Sequence, residues 1–432
     1  MASVTPAVTP DPNDLDSSVP VGEPTKNVSR WFIFVYVLTY FGYMLAVLMP
    51  SLFSLALKSQ SLTPDSKAAT LGIVVGVGAL VNIVASPVIG VISDRTRLRW
   101  GRRRPWLAIG IALGLLGAVT VALAPSVPMA ILAWMVSNLG AACINAAVSP
   151  VIAENIPEQQ RAKVGAFTGV ATQLAGVGAT LVGGMLTNNM LLLFVVPFLV
   201  LIVAGIMFVV TVPDRPAAKQ LDNGGIKAVF TDLKFNPMKH GDFSLVLLGK
   251  FLLQIGMTFF STYQLYFLLD RLGFAPEEAG SRLALVGGIG ILVTMSFAIL
   301  SGIISDRIRR RKIFIYGAAF LAAGGLLTMA FADNFLIYAA GCLLILAGAG
   351  TFGSVDLALV GDTLPDKDEA ASKWMGLYAV AANLPNAIAP VVAPLILLIG
   401  SAEAGNYTLL YVSAAAIALG AAITTRFIKS VR

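Results

Sequence analysis

Twelve long apolar runs, each close to the length that crosses a bilayer, constrain this chain more than any other feature. They lie at roughly 31 to 57, 68 to 92, 105 to 124, 127 to 153, 164 to 187, 190 to 212, 243 to 269, 281 to 304, 313 to 332, 335 to 361, 374 to 399 and 406 to 425. A hydrocarbon core about 30 Å thick takes about 20 apolar residues per helix, so each run predicts one membrane-spanning helix. The runs are continuous and do not alternate with period two, which excludes a β-barrel. Composition fits the same solvent: 57% of residues are hydrophobic and 12% charged, against roughly 45 to 50% and 25% in soluble domains. The expected fold class is an all-α integral membrane protein of twelve transmembrane helices.

The distribution of basic residues predicts the orientation, because short cytoplasmic loops collect Lys and Arg. Of the 30 Lys and Arg, Lys58, Lys67, Arg271 and Arg282 fall between one set of span ends and Lys250 falls inside a span. The other 25 lie at the opposite ends, which predicts cytoplasmic N- and C-termini and a multi-pass protein of the cell (inner or plasma) membrane. Residues 1–29 are rich in Pro, Ser, Thr and Asp and lack the basic start of a secretory signal; they are expected to form a disordered cytoplasmic tail. A net charge of +7 and a pI near 9.4 would suggest nucleic acid in a soluble protein. Here topology accounts for the excess, so the expected environment is the lipid bilayer, with no nucleic-acid partner. Cys143 and Cys342 both sit inside spans, and His240 is the single histidine, so neither a disulfide framework nor a metal site is expected.

The runs repeat in sixes. GVISDR at 90 to 95 aligns with GIISDR at 302 to 307, and ENIPE at 154 to 158 aligns with DTLPD at 362 to 366. The expected domains are two pseudo-symmetric six-helix bundles, 30–212 and 243–427, followed by a short cytoplasmic tail, 428–432. Between the bundles runs a polar cytoplasmic linker, 213–242. Ile226, Val229, Phe230 and Leu233 in that linker have the spacing of an amphipathic helix resting on the membrane surface.

Two parallel six-helix repeats, each with a basic loop after its second span, resemble the major facilitator superfamily, whose halves are related by an axis along the membrane normal. The motif that carries the resemblance is Gly-x-x-x-Asp-Arg followed by Gly and basic residues, here Gly90, Asp94, Arg95, Gly101, Arg102 and Arg103. The second glycine comes four residues later than in the common form of that motif. The longer form, ending RWGRRRPW, is similar to the sugar:cation symporters that include plant sucrose carriers and the glycoside-pentoside-hexuronide group. The resemblance implies the major facilitator fold and alternating access to a small-molecule substrate, with no enzyme activity.

Asp94, Glu154, Asp306 and Asp362 fall at helix C-termini on the cytoplasmic side, where a negative charge opposes the helix macrodipole. Each therefore needs a basic partner or a neighbouring helix N-terminus. Arg95, Arg102 and Arg161 are the candidates in one half; Arg307, Arg311 and Lys373 are those in the other. Because the acids recur at matching offsets, they are expected to form a cytoplasmic gate that clasps the two halves together, a role the resemblance also implies.

Charges without a repeat counterpart suit the substrate and the coupled ion better. Asp356 aligns with Val148, and Lys250 has apolar or tyrosyl neighbours at the matching depth of the first span. At ~1.5 Å per residue both lie about 9 to 11 Å from the cytoplasmic ends of their spans, close enough in depth to pair. Intramembrane charges mark transport pathways, so this pair is the expected proton-coupling site. Candidate substrate contacts are Tyr40 and Tyr43 in the first span, Asn138 and Asn145 in the fourth and Gln173 in the fifth. Lys250, Gln254 and Gln264 in the seventh and Asn383 and Asn386 in the eleventh complete the set. Neutral amides and aromatic faces suit an uncharged, hydroxylated ligand such as a sugar or glycoside.

Melibiose-type sodium symporters, which have a similar architecture, use acids in the second and fourth spans. Here those spans carry acids only at their ends, so the expected coupling ion is a proton and no cofactor or metal is expected. Proton-coupled plant carriers have an arginine after a proline in the fourth span, whereas NAAVSPVIAEN has Pro150 and no such arginine. The alternative reading is a proton-coupled drug or metabolite exporter of the same fold. Exporters share a Gly-Pro-x-x-Gly-Gly motif in the fifth span, of which ATLVGG keeps Gly183 and Gly184 alone. No HExxH, paired histidines or phosphate-binding loop points to an enzyme. The carrier is expected to work as a monomer.

Overall fold

A computed structural model describes residues 27–214, 236–365, 371–400 and 405–428. Most of the two tails and the amphipathic segment expected around Ile226 to Leu233 lie outside these residues. The described chain forms twelve helices long and apolar enough to span a membrane. They are α1 (Arg30–Leu62), α2 (Pro64–Asp94), α3 (Arg104–Leu123), α4 (Val127–Asn155), α5 (Glu158–Met185) and α6 (Met190–Thr211), then α7 (Gly241–Arg271), α8 (Pro276–Ile308), α9 (Arg311–Ala330), α10 (Phe335–Thr363), α11 (Lys373–Leu397) and α12 (Tyr407–Arg426). Each matches one apolar run. α5 and α8 begin at Glu158 and Pro276, ahead of the runs at 164 and 281, because their first turns are polar. Hydropathy does not see a helical turn that stands outside the bilayer.

The helix ends fall into two sets. The end that carries Arg30, the Asp94 to Arg104 turn, Arg307 to Lys312 and Arg426 is the basic end, and the opposite one is the far end. At the far end α6, α10 and α12 are started by Asn189, Asn334 and Asn406, whose side chains accept the backbone N–H three residues on. Each such cap satisfies an otherwise unpaired donor and contributes about 1 kcal/mol. α1 and α7, the first helices of the two repeats, each contain a π-helical turn towards the far end, Pro50–Ser54 and Phe267–Arg271. Such wide turns re-aim the side chains beyond them and collect at functional sites.

Packing follows the repeat. α1 lies against α5 and α6, α2 against α4, and α3 against α4 and α6; in the second half α7 lies against α11 and α12, α8 against α10, and α9 against α10 and α12. The halves meet along α2 with α11 and along α5 with α8. Gly184 and Gly280 permit the second contact: a Cβ on Gly280 would come within 2.5 Å of the Gly184 Cα. Without a hydrophobic drive between helices in lipid, such close backbone approach is what packs them. Large apolar side chains such as Leu116, Leu292, Phe320 and Leu395 remain exposed on the outside, as a lipid-facing surface requires.

Candidate functional site

The two intramembrane charges meet. Lys250 Nζ on α7 stands 2.6 Å from Asp356 Oδ2 on α10, and the side chains are 15% and 4% exposed. The same Oδ2 accepts a hydrogen bond from the Tyr378 hydroxyl on α11. The ammonium also lies over two aromatic faces, 4.7 Å from the Phe352 ring centre and 5.4 Å from that of Tyr378. A cation over a desolvated ring gains about 2 kcal/mol. Lys250 is therefore held by a carboxylate and by two π faces at once. Phe352 and Tyr378 were not evident from the sequence, since an aromatic residue inside an apolar run carries no signal of its own. At the matching place in the first half, the Tyr36 hydroxyl donates to the Val148 carbonyl.

The candidate substrate contacts divide by how their polar groups are used. Asn138 donates to the Trp134 carbonyl, Asn145 accepts from Ser149, and Asn383 donates to the Ala379 carbonyl, each within its own helix. Asn386 accepts from Thr258 and ties α11 to α7, which is packing between helices. Among the described residues Gln173, Gln254, Gln264, Tyr40 and Tyr43 make no side-chain hydrogen bond, so their donors and acceptors are available. Tyr43 and Asn138 share a cleft with Trp134 and Phe198 whose free space is about 20 Å³. That holds about one water.

Among the described residues Asp94, Glu154 and Asp362 pair inside their own halves, and no ion pair of the clasp expected between halves is seen. Arg103, which was not among the expected partners, is the centre. Its guanidinium, with a side chain 5% exposed, lies 2.6 Å from Asp94 and 2.5 Å from Glu154, and it donates to Ser93 Oγ and the Ala146 carbonyl. Burial opposes the Arg103 charge, and Glu154 and Asp94 more than offset it, so its pKa is raised. Arg102 adds a second bridge to Glu154 at 2.6 Å. Arg161 donates to the Ile156 and Ala153 carbonyls, placing a cation on the C-terminus of α4, where the macrodipole favours it. In the second half Arg311 pairs with Asp362 at 2.9 Å, and Asp306 lines a cavity with Ser305, Arg309 and these two. Arg95 and Arg307 are exposed and make no ion pair among the described residues. Lys373 lies over the Trp374 ring.

Asp214, just beyond α6, accepts the backbone N–H groups of both Arg103 and Arg104 and so caps α3. Gly101 makes room for it. Its φ is +103°, and a Cβ there would lie 2.1 Å from the Asp214 carboxylate. The late glycine of the loop motif is thus required twice, by backbone conformation and by contact.

The halves are joined at the far end. Lys67 on α2 stands 2.5 Å from Asp270, in the π-helical turn of α7, and these side chains are 21% and 18% exposed. The other Asp270 oxygen accepts from the Tyr407 hydroxyl at 2.7 Å, and the Tyr266 ring lies under the Lys67 ammonium. Tyr266 and Tyr263 donate to the Ala56 and Ala68 carbonyls of the first half, and Thr187 donates to Glu277. At the basic end no ion pair between described residues joins the halves. Among the described residues the ion pair that joins the halves therefore lies at the far end, where it acts as a latch.

The model of the Major Facilitator Superfamily matches residues 32–390 and again 297–430. A probable folate-biopterin transporter 7 of Arabidopsis thaliana is 28% identical over 165 residues, or 35% of this chain and 37% of that protein. The chain spans 8% to 37% of the length of the curated relatives it matches. Among solved structures, a mutant of the nucleoside transporter NupG superposes with a TM-score of 0.74 at 10% identity, covering 92% of this chain and 100% of that one. The D-xylose-proton symporter superposes with a TM-score of 0.69 at 18% identity, covering 93% and 98%. At these identities the likeness is one of fold.

Proposed function

The chain belongs to the major facilitator superfamily, and from that premise we propose that it is a secondary active transporter that takes up a sugar or glycoside together with a proton by alternating access. The observation that carries the coupling is the buried Lys250–Asp356 pair. Breaking a buried pair and leaving one charge bare costs about 3 to 5 kcal/mol. A proton arriving on Asp356 neutralises the carboxyl, so the pair can part with no bare carboxylate, and the Lys250 ammonium is the one charge left without its partner. The rings of Phe352 and Tyr378 then keep a hold on Lys250. Proton entry and a change in the contacts between α7 and α10 thereby become one event.

The sugar reading is supported by the uncommitted amides and tyrosines, by the RWGRRRPW form of the loop, and by fold neighbours named as nucleoside and D-xylose-proton carriers. The basic end lies in the cytoplasm in this reading, so the Lys67–Asp270 latch holds the outer side closed. Uptake of a panel of labelled sugars and glycosides into vesicles, under imposed proton or sodium gradients, tests it. Accumulation driven by an inward proton gradient is expected. Efflux of substrate with no uptake would support an exporter instead.

A further inference from the structure

The turn between α2 and α3 has one face that the Arg103 cluster uses and one that nothing among the described residues uses. Thr96 accepts from the Trp106 indole and donates to the Ile92 carbonyl, Arg102 and Arg103 hold Glu154, and Arg104 donates to the Val212 carbonyl. A short bridge between Leu98 and Gly101 closes the turn. In contrast, Arg95, Arg97 and Arg99 are exposed and make no ion pair or side-chain hydrogen bond among the described residues. Leu98 lies between Arg97 and Arg99 and Trp100 follows Arg99, and the two are 55% and 63% exposed. Orienting a membrane protein needs basic residues, but it does not need a bare leucine and tryptophan threaded among them.

Depth identifies what covers this face. α3 has 20 residues, which at ~1.5 Å per residue equals the roughly 30 Å of the hydrocarbon core. Arg104 therefore stands at one boundary, and Trp100, four residues earlier, lies among the headgroups. Arg30 and Trp31 start α1 at the same basic end, with Trp31 55% exposed. Tryptophan collects at that depth.

We propose that residues 95–100 form a lipid-contact surface for anionic phospholipid: Arg95, Arg97 and Arg99 hold headgroup phosphates while Leu98 and Trp100 enter the acyl boundary. The charge complementarity favours anionic over zwitterionic headgroups by about fivefold for each arginine near the surface.

The test uses the full chain in phosphatidylcholine vesicles that contain phosphatidylglycerol, with bromine placed on either lipid at equal mole fraction. Tryptophan emission is recorded, and the share due to Trp100 is the difference from Trp100→Phe. Brominated phosphatidylglycerol should quench that share more strongly than brominated phosphatidylcholine, and the excess should shrink as salt screens the arginines. Arg97→Gln and Arg99→Gln should each reduce the preference about fivefold, with emission from the other tryptophans reporting that the variants are folded. Equal quenching by the two lipids would overturn the anionic preference. No quenching by either would show that Trp100 is covered by protein, as when the second half closes over it.

Discussion

Asp270→Asn removes one charge from the ion pair that joins the two halves and keeps the size of the side chain. The carboxylate takes the Lys67 ammonium on one oxygen at 2.5 Å and the Tyr407 hydroxyl on the other at 2.7 Å. Hydrogen bonds to a charged group contribute about 1.5 to 3 kcal/mol, and an exposed pair only about 0 to 1 kcal/mol. With about a fifth of each side chain exposed, and with the amide keeping part of the bonding, a loss of about 2 kcal/mol is the reasonable middle. That is roughly thirtyfold in an equilibrium constant, so a carrier resting about 99:1 with its far end closed would move to about 3:1. Ala56→Cys reports on this, because Ala56 lies at the far end under Tyr266 and is buried while the latch holds. Its labelling by an impermeant maleimide should rise about twentyfold or more in the Asp270→Asn background. Adding Lys67→Met should then change little, since its partner charge is already lost. A labelling rate within twofold of the parent would refute the latch.

Other substitutions probe the remaining parts. Arg103→Gln should lower the thermal stability of the solubilised protein, by about 2 to 3 kcal/mol on the scale of a broken buried pair moderated by Arg102 and by the exposure of Asp94; an unchanged melting midpoint would contradict the role of Arg103 as the centre of that cluster. Gly280→Val should push α5 and α8 apart at the far end, because its Cβ would meet the Gly184 Cα and the Thr180 carbonyl. Spin labels across that end should then show a longer mean distance, whereas an unchanged distance would mean that the contact does not set the spacing.

The sequence made the membrane fold legible because hydropathy and length alone define a spanning helix, and all twelve apolar runs became helices. The polar first turns of α5 and α8 were invisible to it. Lys250 and Asp356 stood out because charge is costly in lipid, and depth was enough to bring them together. Tyr378 and Phe352 did not stand out, since only the crossing of α10 and α11 beside α7 brings their rings to the lysine. The partners at the basic end were harder still. Several arginines within a few residues could each reach Asp94 and Glu154, and the choice of Arg103 depends on a tight turn held by Gly101 and Asp214. The expected inter-half clasp lies at the basic end, where no ion pair between described residues joins the halves, and a single sequence does not say which end is closed.

If a proton reaching Asp356 drives transport, Asp356→Asn in vesicles, supplied with a sugar identified by the uptake panel, loses that drive. Under an inward proton gradient the parent should accumulate the labelled sugar above its outside concentration. The variant should only equilibrate, while still exchanging labelled for unlabelled sugar at a rate close to the parent's. Uphill accumulation by Asp356→Asn would contradict the account.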